Sequence, residues 1–191
     1  SCFVLHPPVP VKSIKELIAY DKANTGKLNY GSGGAGSASH LGTELFNHMA
    51  GTRMAHVPYK GMGPALNDLL GGQIQLVIAG LPVAIPHLKT NRLRCIAVTT
   101  AKRSSTLPEI PAVAETVPGY DNSTFYAVLG PKGLPKDIAA RWNNEINRIL
   151  QLPDVKERMV GLGVEPAGGS PERLRELVIR EIAKWRDVVK V

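Results

Sequence analysis

The sequence predicts an α/β fold, a mostly parallel sheet covered by helices on both faces. Three observations predict it. Short apolar runs alternate with helical patterns in a β-α-β-α-β-α-β-α-β order over residues 2–99. A glycine-rich junction, Gly31-Ser32-Gly33-Gly34-Ala35-Gly36-Ser37, carries the chain from a strand into an amphipathic helix. The composition, 43% hydrophobic and 20% charged over 191 residues, is enough for one domain or two small lobes.

Taken in order, residues 2–5 are a short apolar strand, ended by His6-Pro7-Pro8. Ser13 caps a helix through Ile14, Leu17 and Ile18 to about Ala23, where Asn24-Thr25-Gly26 stops it. A short polar strand is expected at 27–30. The helix after the glycine loop, 37–50, puts Leu41, Leu45 and Met49 on one face, and Ser37 or Ser39 caps its first turn. Gly51 breaks it and 53–57 is a second short strand. Pro58-Tyr59-Lys60-Gly61 forms another strand-to-helix junction before a helix at 64–70. Residues 73–78 are a buried strand, 82–88 a helical turn or two, and 93–99 a strand with β-branched Ile96, Val98 and Thr99.

The chain then changes character. Residues 101–122, with Pro108, Pro111, Pro118 and Gly119, read as an extended connection with one helical turn near 113–115. A strand is expected at 124–129. A helix from Pro135 to about Leu150 carries Ile138, Trp142, Ile146 and Ile149. Another spans 153–162 and a short strand 164–167. Ser170-Pro171-Glu172 opens a final helix to about Lys190, with Pro at its first helical position. Two strands and three helices cannot build a sheet of their own. The expectation is half a domain at 123–191, its missing strands preceding residue 1, which docks on another chain, self-associates by exchange with a neighbour, or is only partly ordered alone.

Several function classes fall away. Gly31, Gly33 and Gly36 spell the dinucleotide fingerprint, but the strand before them is polar and no acid stands about 20 residues later. Ser37 follows Gly36 where a phosphate P-loop needs Lys. The net charge of +7 is scattered among acids, and aromatics are only 5%, so no nucleic-acid partner is expected. The histidines lack metal-ligand spacing, and no cofactor or metal is expected. Cys2 and Cys95 lie in apolar runs, which fits buried free thiols and also a disulfide in an oxidising compartment. No run approaches the ~18 apolar residues of a membrane span.

What remains is an anion site. Glycines let backbone approach a ligand closely, and the free N–H groups of a helix start favour a carboxylate or phosphate. Gly31, Ser32, Gly33, Gly34, Ala35, Gly36 and Ser37 are the candidate contacts. Tyr59 and Lys60, at the next strand end, and Ala79, at the end of the 73–78 strand, complete the set. Lys60 either supplies charge to a carboxylate or is a solvated rim residue. His40 reads as a packing residue or one that stands behind the ligand contacts rather than a contact itself, and no acid accompanies Ser39-His40 to make a catalytic triad.

The same stretches resemble the Bug family, the extracytoplasmic solute-binding proteins of tripartite tricarboxylate transporters. The matching residues include Leu28-Asn29-Tyr30-Gly31-Ser32, Gly36-Ser37, His40-Leu41, Glu44-Leu45-Phe46 and His56-Val57-Pro58-Tyr59-Lys60-Gly61. Further matches are Asp68-Leu69-Leu70-Gly71-Gly72-Gln73, Ala97-Val98-Thr99, Pro118-Gly119-Tyr120, Ala183-Lys184-Trp185 and Val188-Val189-Lys190. The resemblance implies a periplasmic, two-lobed, Venus-flytrap binding protein of type II, not an enzyme. It would hold a small carboxylate and hand it to membrane transporter subunits. It implies residues 1–122 as the second lobe and 123–191 as the C-terminal part of the first. Two departures stand out: Ala79 and Gly80 occupy positions often acidic in the family, and Gly33-Gly34 replaces a Gly-polar-Gly spacing. A small α/β enzyme using the loop as an oxyanion site, or a ligand sensor without a transporter, are the competing readings.

Overall fold

The computed structural model describes residues 1–189. Five strands form one sheet: β1 (Cys2–Leu5), β2 (Asn29–Ser32), β3 (Ala55–Pro58), β4 (Leu76–Ala79) and β5 (Arg94–Val98), in the order β3-β2-β4-β1-β5. β2 runs parallel to β3 and β4, whereas β1 is antiparallel to β4 and β5. The sheet is therefore mixed, with one reversed strand inside four that share a direction. Periodicity marks a strand as buried but says nothing of its direction, which is set by partners remote in sequence.

The strands at the centre are buried on both faces, and their side chains divide accordingly. Phe3, Leu5, Leu76 and Ile78 join one core with Leu17, Tyr30, Phe46 and Tyr120. Cys2, Val4, Val77 and Ala79 join the other with Leu66, Leu69, Leu81 and Ala84. Phe3 sits 5.0 Å from the Phe46 ring and 6.3 Å from that of Tyr120. Burying each such ring contributes about 2–3 kcal/mol. Helices α1 (Ile14–Ala23) and α2 (Ala38–Ala50) supply residues to the first core, α3 (Met62–Leu70) and α4 (Leu81–Lys89) to the second. α4 is longer than the turn or two expected, and it tolerates Pro86 in its interior.

Local chemistry sets the helix starts. Ser13 Oγ accepts the Glu16 amide, and Glu16 reaches back to the Lys12 amide. Ser37 is the residue that caps α2, accepting the His40 amide at 3.3 Å. Gly51 closes α2 in a left-handed conformation, φ 65°. The single 3-10 turn Val113–Glu115 lies where it was expected. Both cysteines are free; the neighbouring Cys2 thiol, and then burial, push the Cys95 thiol well above its usual range.

The chain divides into two compact units, Ser1–Thr124 and Phe125–Val191. The second contains α5 (Lys136–Ile149), α6 (Pro153–Gly161) and α7 (Pro171–Val189). Lys190, the expected end of the last helix, lies outside the described residues. The strands expected at 124–129 and 164–167 do not form. Both segments are extended enough in composition, but a strand exists only through its ladder, and neither segment pairs with a strand among the described residues. Asn143 and Asn147 of α5 stitch this unit together, each donating to Gly169 O, while the Gly169 amide donates to Asn147 Oδ1. α5 buries no residue, and Trp142 is 61% exposed.

Candidate functional site

The carboxyl ends of β2, β3 and β4 lie side by side, because β2 is the shared neighbour. They bring together the glycine loop, the Tyr59-Lys60-Gly61 junction and Ala79. Gly31 and Ser32 are strand residues rather than loop, paired with Val57 and Pro58 of β3. A Cβ on Gly31 would run into Ile74 Cδ1, so this glycine is required by close packing under the strand. The loop proper is 33–37. It is tied to the neighbouring junction by backbone bonds: Tyr59 N–H donates to Ser32 O at 3.1 Å and Gly61 N–H to Gly33 O at 3.2 Å.

Inside the loop most donors are already engaged. Gly33 N–H donates to Ser39 Oγ at 3.0 Å, Gly34 N–H to Ser32 Oγ at 3.1 Å, and Gly36 N–H to His40 Nδ1 at 3.1 Å. Ser37 N–H donates to Gly34 O at 3.1 Å. The amides of Ala35, Ala38 and Ser39 donate to no protein acceptor among the described residues. Ala38 and Ser39 open α2, so their N–H groups carry the positive end of its dipole. Gly34, at φ 122°, and Gly36, at φ 76°, make this path possible, since side chains rarely adopt either angle.

Beneath the loop lies a stack of three rings. Tyr30 and His56 are register partners on β2 and β3, with centroids 4.9 Å apart, and His40 lies 4.0 Å from His56. His56 Nε2 is 2.6 Å from Ser32 Oγ. Tyr30 O–H donates to Glu44 Oε1, and burial together with that bond pushes the phenol well above its usual range. Burial holds the His56 imidazole below its ordinary value; His40 adds to the effect and Glu44 opposes it. On the other side, Tyr59 O–H donates to Asp68 Oδ2 at 2.7 Å, and the phenol is pushed up to about 12 by burial and that bond. Glu44 and Asp68 are therefore each engaged by a tyrosine hydroxyl.

Lys60 is exposed beside the loop, and Ser32 is fully buried. Ala79 is also fully buried, its side chain within the second core, so it offers a ligand at most backbone. The histidine stack was not marked by sequence reasoning. Its signal was present in the parallel register: Tyr30 and His56 occupy equivalent strand positions, and His40 stands one turn into α2. No cluster of three or more metal-ligating side chains occurs among the described residues, and no described helix is long and apolar enough to cross a membrane.

A family model described as "Tripartite tricarboxylate transporter family receptor" matches residues 1–191. The chain is 35% identical over 188 residues to protein BugT of Bordetella pertussis, which covers 98% of this chain and 58% of BugT. The chain spans little more than half the length of BugT and of a similar protein from Pseudomonas sp. (strain P51). Among solved structures it is similar to Rhodopseudomonas palustris Rpa4515 with adipate, at 38% identity and a TM-score of 0.95, over 99% of this chain and 64% of that one. It is also similar to MatC from Rhodopseudomonas palustris with bound malate, at 28% identity and a TM-score of 0.86, over 98% and 65% respectively.

Proposed function

The chain belongs to the tripartite tricarboxylate transporter receptor family, and from that premise we propose that it captures a small dicarboxylate at the 33–37 loop for a membrane transporter. The observation that carries this reading is the set of open amides on Ala35, Ala38 and Ser39 at the start of α2. Such a site selects charge and size through backbone donors, as a receptor requires. Lys60 adds a screened attraction from the rim, Tyr59 lines the junction, and Ala79 contributes backbone. The adipate and malate in similar structures support a dicarboxylate ligand.

In this reading residues 1–122 act as the second lobe and 123–191 as the C-terminal part of the first. The protein works in the periplasm, with transporter subunits as its partners. Exposed Phe125, Val128, Leu129, Ile138 and Trp142 are then the faces that pack on the rest of the first lobe, or on a second copy of the chain.

The test is calorimetric titration with succinate, malate, glutarate and adipate. One-to-one binding of at least one of them, with a matching rise in Tm, is expected. Failure of all four to give heat or a thermal shift would end the dicarboxylate reading. Consumption of the ligand during titration would favour an enzyme instead.

A further inference from the structure

The loop is held in shape partly by an imidazole. Gly36 N–H donates to His40 Nδ1 across a single turn of chain, and Gly36 itself sits at φ 76° with open space around it. An amide can donate to Nδ1 only if that nitrogen keeps its lone pair, so the ring must be neutral with its proton on Nε2. A proton on Nδ1 would set two donors against each other. The other groups facing this ring are known: Tyr30 from β2, His56 from β3, and Glu44 from the next turn of α2, its carboxylate accepting from Tyr30. His56 stacks on it at 4.0 Å and braces the opposite end of the turn through Ser32, whose Oγ accepts the Gly34 amide. Each imidazole thus holds one glycine of the loop.

We propose that His40 is a positioning residue for carboxylate capture: by accepting the Gly36 amide it fixes the 33–37 turn, and so makes capture depend on a neutral imidazole. The proposal rests on the reading of this loop as the carboxylate site. It carries a definite sign. Imidazoles change charge between about pH 5 and 8. Acid removes the acceptor, releases Gly36 and weakens binding. If His40 instead attracted the anion by its charge, acid would strengthen binding.

Two variants separate the acceptor from the ring. His40→Phe keeps an aromatic surface against His56 and loses the acceptor. His40→Asn gives up the stack but restores an acceptor near the Nδ1 position that does not titrate. Adipate affinity is measured by calorimetry for all three proteins from pH 5.5 to 8. At pH 8 His40→Phe should bind about five- to tenfold more weakly than wild type, the effect of one hydrogen bond, and His40→Asn should recover most of that loss. Between pH 8 and 5.5 the wild type should lose affinity relative to His40→Asn, whose curve also records protonation of adipate itself. A ratio that stays constant, or that rises toward acid, overturns the proposal and leaves the carboxylate site standing. An independent readout needs no ligand: the Gly36 amide resonance should titrate together with the His40 ring in the free protein. If no variant binds adipate at any pH, the carboxylate reading is what suffers, and the Gly36 titration decides the role of His40 alone. A Gly36 amide that ignores the His40 titration overturns the proposal.

Discussion

Gly42→Ala should destabilise the protein, although it improves the helix. Gly42 lies inside α2, where replacing Gly by Ala gains about 1 kcal/mol of helix propensity. A Cβ there would overlap Asn122 Nδ2 and stand 2.6 Å from Asn122 Cγ and 3.2 Å from Ile78 Cδ1. Asn122 has little freedom to retreat. It is 1% exposed, its amide donates to Thr99 O at 2.8 Å, and its carbonyl accepts from Thr99 Oγ1 at 3.0 Å. Moving the side chain breaks the bond from Nδ2 to Ala38 O in the first turn of α2. Leaving that buried amide unpaired costs about 1–3 kcal/mol, and the overpacking another 1–3 or so. The net loss is about 3 kcal/mol, which for a chain of this size lowers Tm by roughly 6–12 °C. Gly63 is the control. It is in α3 with nothing near its would-be Cβ, so Gly63→Ala should leave Tm unchanged or raise it. Denaturant unfolding of Gly42→Ala, Asn122→Ala and the double variant tests the cause. In the Asn122→Ala background Gly42→Ala should become neutral or stabilising. Additive losses, or a Gly42→Ala protein as stable as wild type, would refute the steric argument.

Gly36→Asp places a side chain at φ 76° and a negative charge in the loop; dicarboxylate affinity should fall at least tenfold by calorimetry, and unchanged affinity would remove the loop from the site. Lys60→Met should weaken binding two- to fivefold or so at low salt and progressively less as salt screens the exposed ammonium; equal affinity for both proteins at every ionic strength would make Lys60 a bystander. Arg103, with help from the Ala112 amide, holds the Glu115 carboxyl down at about 2. Its contribution to stability is therefore complete above the ordinary carboxyl range and is lost as pH falls from about 4.5 toward 2. The Tm difference between wild type and Glu115→Gln should close across that interval, and a difference that persists below it would show the ion pair to be irrelevant.

What the sequence disclosed and what it hid differ in range. Helix starts are local, and Ser13, Ser37 and Ser170 each cap where their neighbours said they would: the Arg173 amide donates to Ser170 Oγ. The glycine loop was legible for the same reason, a contiguous run with a steric cause. Strand direction was not legible, because the reversal of β1 depends on pairing Cys2 with Ala79 and with Val98. Nor was the difference between strand and extended coil at 124–129, where the residues are suitable and the partner is what decides. At the site, Gly31 looked like loop and is strand, and its missing side chain leaves room for Ile74. The bracing of the loop by His40 and His56 depends on β3 lying beside β2, which no local pattern announces.

The contact of Ser32 Oγ with His56 Nε2, at 2.6 Å, resembles a nucleophile and its base. Its surroundings argue for a clamp instead. A nucleophilic oxygen must be reachable, and Ser32 is fully buried. Its Oγ already accepts the Gly34 amide and lies 3.2 Å from Gly34 O. With one proton to give, the hydroxyl serves either His56 or that carbonyl, while its oxygen holds the Gly34 amide. An orienting acid is also needed, and the closest candidate, Glu44, accepts from Tyr30 rather than from an imidazole. The pair therefore spends its hydrogen bonds on the shape of the loop. If the loop is the proposed anion site, its specificity lies in the positions of amides, which is what reversible capture needs and what acyl transfer at Ser32 would destroy.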